Sequence, residues 1–166
     1  MKNQMSKLLF LFLTIFLIAG NAFAQQSKSE IIGSWSDSSV GWTNYENRTT
    51  GALKNGRGSS FTYKFNANGT FEYIGYMEVT TYNCTTTLFN HKTGRYTVDG
   101  SSVTFKTAKD HWKNTNSCAA SGNSTKDKTP ENEVAEWVVR ENDNGKLELV
   151  LDKGKGAMVF RREADK

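Results

Sequence analysis

Few side chains in this sequence combine a reactive type with a spacing that does chemistry. Serine is plentiful, but no Gly-x-Ser-x-Gly turn presents one as a nucleophile, and neither His91 nor His111 has a recognisable partner motif. Glu72 and Glu78 share one face of an extended segment. At strand rise that separates them by about 20 Å, too far to serve one bond as acid and base. No glycine-rich phosphate loop sits between a strand and a helix. The two His also lack ligand spacing with each other or with Cys84 and Cys118. The chain is therefore read as a non-enzyme, with no catalytic residue, no metal site and no cofactor.

What remains is a chemistry of rings. Phe61, Tyr63, Phe65, Phe71, Tyr73, Tyr96, Phe105, Trp137 and Phe160 all fall in β-type runs. Such rings fill a core or line a pocket, and a buried Tyr or Trp needs a partner for its polar tip. The candidate ligand-binding residues are Tyr63, Tyr73, Tyr96 and Trp137 in the runs, with Trp42 and Trp112 in two long polar segments that can close over a mouth.

Elements must hold these rings, and the pattern is β throughout. "SSFTYKF" puts Phe61, Tyr63 and Phe65 on one face, and "TFEYIGYMEV" does the same for Phe71, Tyr73, Met77 and Val79. Asn68-Gly69, Asp99-Gly100, Asp143-Asn144-Gly145 and Lys153–Gly156 supply turns between successive runs. About eight strands joined this way predict an all-β, antiparallel up-and-down barrel, since closure removes exposed edges. A two-sheet β-sandwich is the alternative. Residues 37–58 and 109–132 are polar and read as long loops, the second with a partly disordered stretch at 119–132. The Asn-x-Ser/Thr triplets at Asn47, Asn68, Asn83 and Asn123 are read as chance, with Asn68 belonging to its turn.

Lys2 and Lys7, the apolar run Leu8–Ala19 and the small-x-small Ala22-Phe23-Ala24 form a secretory leader. Its apolar run is short for a bilayer of about 30 Å. Residues 1–24 are thus expected to be removed, leaving 25–166 as one exported domain, periplasmic or secreted, with no stable membrane insertion. Removing Lys2 and Lys7 and no acid lowers the net charge from +4 to +2. With no basic stripe interleaved with aromatics, nucleic-acid binding has no support. In an exported chain Cys84 and Cys118 are expected to form a disulfide, worth about 3–4 kcal/mol in the chain-entropy model.

"IIGSWS" at 31–36, the Phe-x-x-Asn-Gly-Thr-Phe element at 65–71, "KTGRYTVDGSSVTFK" and the closing "LELVLDKGKGAMVFRRE" occur in an order and spacing that resemble the small exported lipocalin-like domains of bacteria. The resemblance spans most of 30–162 and implies an eight-stranded lipocalin-like barrel. It further implies that Gly33 and Trp35 open the first strand, with Trp35 plugging the closed end under a late arginine, Arg161 or Arg162. The second and third lipocalin signature motifs are not found. The expected function is a binding protein holding a small, mostly apolar or aromatic ligand. The alternative is a protein-interaction or inhibitor module of the cell envelope, using segments 37–58 and 109–132 on an inert scaffold.

Overall fold

The structure is a computed structural model and describes residues 27–41 and 57–164. The expected leader, Trp42, Asn47 and most of segment 37–58 lie outside these residues. A single helical turn, α1 (Lys28–Ile31), leads into the strands. Ser27 caps it, accepting from the Ser29 amide while Glu30 accepts from the Ser27 amide. Among the described residues nine strands follow: β1 (Gly33–Gly41), β2 (Arg57–Phe65), β3 (Thr70–Thr81), β4 (Cys84–Asp99), β5 (Ser102–Asn116), β6 (Ser124–Asp127), β7 (Asn132–Glu141), β8 (Leu147–Asp152) and β9 (Ala157–Arg162).

All pairings are antiparallel, and β4–β5 and β1–β9 join the sheet into a closed eight-stranded barrel, with β6 as an additional strand. The β1–β9 seam holds by two residue pairs, Trp35 opposite Arg162 and Ser36 opposite Arg161. Alternation explains the interior. Tyr63 faces Tyr73 across β2–β3, Tyr96 faces Phe105 across β4–β5, and Trp137 faces Leu151 across β7–β8, each pair on the inner face. Ile31, Trp35, Phe65, Tyr96, Val103, Phe105, Ala135, Trp137, Leu149, Leu151 and Phe160 form one buried cluster with Tyr63 and Phe71. Ring pairs such as Phe65–Tyr96 and Phe71–Phe105, with centroids 5.0 and 5.1 Å apart, meet edge to face. That geometry adds about 0.5–1.5 kcal/mol per pair beyond area burial.

Segment 109–132 departs from the expected loop. Lys109–Asn116 continues β5, and Ser124–Asp127 forms β6 against it, around a 3₁₀ turn at Ala120–Gly122. The sequence carries no aliphatic pattern there because this part of the sheet does not wall the core. β3, β4 and β5 run 12, 16 and 15 residues against 6 for β8 and β9, so their far ends continue beyond the short strands as an arm. Its strands hold by backbone ladders and by polar bonds such as Asn116 Nδ2 to Thr86 Oγ1 at 3.0 Å. A Cys84–Cys118 disulfide with Cα atoms 5.3 Å apart ties the β3–β4 hairpin to the end of β5. Tyr82 and Asn83 make that hairpin's two-residue turn with φ of 48° and 66°, the left-handed pair of a type I′ turn. At Asn123 the side chain accepts from the Asn116 amide at 2.6 Å, so this triplet has a structural use.

The first strand shows why its glycine is needed. Gly33 sits at φ +131°, and a Cβ there would lie 2.9 Å from the Arg162 guanidinium. That guanidinium is centred 5.1 Å from the Trp35 ring, while Trp35 Nε1 donates to the Ile31 carbonyl at 2.7 Å. The arginine over the plugging Trp is thus Arg162. Arg161 alternates to the outer face, opposite Ser36 and Glu148. Among the described residues no helix is long and apolar enough to cross a membrane.

Candidate functional site

The aromatic stack stops at Tyr63. Its ring contacts Phe65, Tyr73, Phe105 and Phe160 at centroid distances of 5.7, 4.7, 5.6 and 5.3 Å. Above it, toward the end where β5 continues into the arm and β8 turns into β9, the interior becomes ionic. Lys153 Nζ donates to the Tyr63 hydroxyl at 2.9 Å and to the Glu133 carboxylate. Lys92 donates to the other oxygen of Glu133 and lies 3.9 Å from Asp110. Asn90 Nδ2 completes the row, donating to Asp110 Oδ1 at 2.6 Å and to the His111 carbonyl at 3.1 Å. Two carboxylates and two ammoniums therefore cross the barrel as one connected layer.

Strand parity puts them there. Glu133 shares the inner face with Ala135 and Trp137, and Asp110 shares it with Trp112. Lys92 stands opposite Tyr73 and Asp110, and Lys153 follows Leu149 and Leu151 two by two. The layer is graded in solvent access: the Asp110 side chain is 9% exposed, Glu133 25% and Lys153 34%. Such partly buried charges persist only where each is paired, which is the case here. Burial pushes the Glu133 carboxyl up, but the hydrogen bonds and charges of Lys153 and Lys92 outweigh it and hold its pKa below the ordinary value. Burial, then the Glu133 charge, raises the Tyr63 phenol; burial, then Tyr63, Glu133 and Asp110, raises Tyr73. Both tyrosines are neutral at neutral pH, and the Tyr63 hydroxyl accepts from Lys153.

Tyr73 owes its position to a glycine. A Cβ at Gly75 would stand 2.7 Å from the Tyr73 hydroxyl, so only glycine leaves room for the ring to lie along its own strand. One residue pair farther out, Trp112 faces Asn90, with the Lys128 ammonium 3.7 Å from its ring centre. Trp112 Nε1 and Thr107 Oγ1 are buried atoms that meet no hydrogen-bond partner among the described residues.

Of the sequence candidates, Tyr63, Tyr73 and Trp112 thus stand at or beside the ionic layer. Tyr96 and Trp137 do not join them. Tyr96 donates to the Asn66 carbonyl at 3.1 Å beside the β2–β3 turn, and Trp137 Nε1 donates to the Gly100 carbonyl at 3.1 Å. Both close the opposite end of the barrel, and Trp42 is outside the described residues. Asn90, Lys92, Asp110, Glu133 and Lys153 put polar and charged side chains among the rings, where a reading from the aromatic pattern alone has no place for them. Counting back by twos from Trp137 reaches Glu133, but counting on from Phe105 puts Asp110 on the outer face; the register shift at Thr93/Gly94, where β5 carries one extra residue, turns Asp110 inward.

The histidines lie on the outer face. His91 stands directly opposite His111, with Glu72 3.0 Å from the first and Asp127 2.7 Å from the second. Among the described residues no group of three or more His, Cys, Asp or Glu is arranged to hold a metal ion. A cleft of about 390 Å³ follows the β1–β9 seam, lined by residues including Asp37, Glu148, Met158 and Arg161. It arises where the two strands part above their two residue pairs, and it does not include the ionic layer. No protein-family model matches this chain, and no curated protein matches it in sequence.

Proposed function

We propose that this protein is an exported, lipocalin-like binding module that takes a small ligand at the open end of its barrel. The carrying observation is the change of interior at Tyr63. The closed half is packed with rings, whereas the open half carries neutral phenols, an unpaired indole N–H and a solvent-reachable charged layer. A barrel of eight strands has room for either a side-chain filling or one small ligand. Here the two alternatives divide the barrel between them. The ligand's apolar or aromatic body would rest on Tyr63, Tyr73 and Trp112, and its polar end would meet the Glu133–Lys153 pair. Export is supported by the basic-apolar-small pattern of residues 1–24 and by the Cys84–Cys118 bridge, since disulfides persist in oxidising compartments.

An environment-sensitive, uncharged apolar fluorophore, N-phenyl-1-naphthylamine, tests this reading. The folded protein should bind it saturably at one site, and Trp112→Ala should weaken that binding. Saturable binding that is indifferent to Trp112, Tyr63 and Tyr73 would reject the site.

The interaction reading retains one specific observation: Met77, Val79 and Tyr82 are exposed on the hairpin that forms the arm's tip. Capture by an envelope protein that is lost in a Met77→Ser, Tyr82→Ser double variant would favour it over the ligand cup.

A further inference from the structure

The lysine at the barrel mouth is in an unusual position for a structural ion pair. Lys153 is not on a strand that its ammonium braces. It begins the β8–β9 turn, where Gly154 and Gly156 hold φ of +77° and +109° and Gly154 donates to Asp152 at 2.7 Å. From this exposed turn the side chain reaches back into the cup. Its Nζ meets the Glu133 carboxylate and the Tyr63 hydroxyl and stands 5.6 and 5.3 Å from the ring centres of Tyr63 and Phe105. A carboxylate, a hydroxyl acceptor and two aromatic faces are the groups with which proteins hold a free ammonium.

From this we infer that the open end is an ammonium-recognition site that the chain fills with its own Lys153, and that a ligand bearing a primary ammonium on an alkyl stem competes with it. The inference rests on the ligand-cup reading above and adds the chemical class of the ligand. Charge balance supports the class. With Lys153 swung out, the inner layer around Tyr63 presents the carboxylates of Glu133 and Asp110 against the ammonium of Lys92, with Tyr63 and Tyr73 neutral, while Lys126 and Lys128 stand farther out beside Trp112. An entering ammonium restores the balance that Lys153 leaves, whereas an entering carboxylate worsens it. Lys92 cannot take over the vacated place, because β4 holds it between Asp110 and Glu133. The exchange is also cheap for the protein: Lys153 is already one-third exposed and sits on a turn that carries no ladder pairing. The Tyr63 hydroxyl selects for an N–H donor, so a primary amine is favoured over a quaternary one.

Calorimetric titration with hexylamine, hexanol and hexanoate on the wild-type chain and Lys153→Ala tests the idea. A lysine-containing tetrapeptide forms a second arm that separates a free amine from a protein side chain. Lys153→Ala should bind hexylamine, the peptide or both about tenfold more tightly than wild type, with hexanoate the weakest of the six-carbon probes. Adding Tyr63→Phe should lower the affinity for hexylamine more than that for hexanol. Near-ultraviolet circular dichroism of each variant checks that the aromatic core is intact. If hexanol binds Lys153→Ala as tightly as hexylamine, and the peptide does not bind, the cup stands but its ammonium specificity is refuted. If neither protein binds any of these probes or the fluorophore, the cup reading falls with it.

Discussion

Arg162 and Trp35 face each other across the seam that closes the barrel, guanidinium over indole at 5.1 Å, in the one place where β1 and β9 still pair. The contact therefore does two things at once, covering the plug of the closed end and holding first strand to last. A cation over a ring contributes about 0.5–2 kcal/mol depending on desolvation. Arg162→Ala should lower unfolding stability by about 1–2 kcal/mol in urea titration. Arg161→Ala, whose side chain points outward, should stay within about 0.5 kcal/mol.

Gly33 should behave as part of the same unit. Any side chain there meets the guanidinium at 2.9 Å and must also adopt φ +131°. Gly33→Ala is expected to cost more than about 1 kcal/mol. In combination with Arg162→Ala the steric part of that cost should be relieved, so the double variant is less destabilised than the sum of the two.

The disulfide joins the arm to itself, not the arm to the barrel wall. Cys84→Ser with Cys118→Ser should reduce stability by about 3–4 kcal/mol in the chain-entropy view. Amide exchange should rise first in Thr80–Thr87 and Thr115–Asn123 while Phe65, Phe105 and Leu149 stay protected. Equal loss of protection throughout the chain would show that the arm and barrel unfold as one unit.

Two pH limits follow from the ionic layer. Glu133 has a folded pKa below its ordinary 4.5, so its contribution to stability is present above that pH and is lost as pH falls through the lower folded value. Tyr63 and Tyr73 are raised above the ordinary 10.0, so the unfolded chain releases their protons first and stability falls as pH rises past that value. Urea midpoints measured across pH should show both declines. Glu133→Gln should flatten the acid side, and Tyr63→Phe should flatten the alkaline side.

The sequence was informative wherever one face of a strand is apolar. Phe61, Tyr63 and Phe65, Phe71 and Tyr73, and the Asn68-Gly69 turn could be placed on one wall because period-two alternation and turn chemistry are local signals. The arm was misread because His111, Lys113 and Asn114 are polar on both faces and gain strand form from β4's ladder, a partner that lies about twenty residues away and carries no local pattern. The ionic layer was missed for a different reason. Lys92 and Asp110 lie within β4 and β5, Glu133 near the start of β7 and Lys153 just past β8, and in the sequence each looks like an ordinary surface charge; Asp110 turns inward only through the irregularity in β5, which no local pattern announces. The choice between Arg161 and Arg162 turned on the register of one pairing, and a single-residue shift would reverse it.

The central claim is that the open half of the barrel binds a small ligand while the closed half does not. Backbone amide chemical shifts, followed while the uncharged fluorophore N-phenyl-1-naphthylamine is titrated into isotope-labelled protein, test it most directly. Saturable shifts should concentrate at Tyr63, Tyr73, Lys92, Asp110, Trp112, Glu133 and Lys153 and leave Trp35, Tyr96 and Trp137 unmoved. Shifts confined to the arm's tip or the outer β1–β9 cleft, or spread through the closed end, would contradict it.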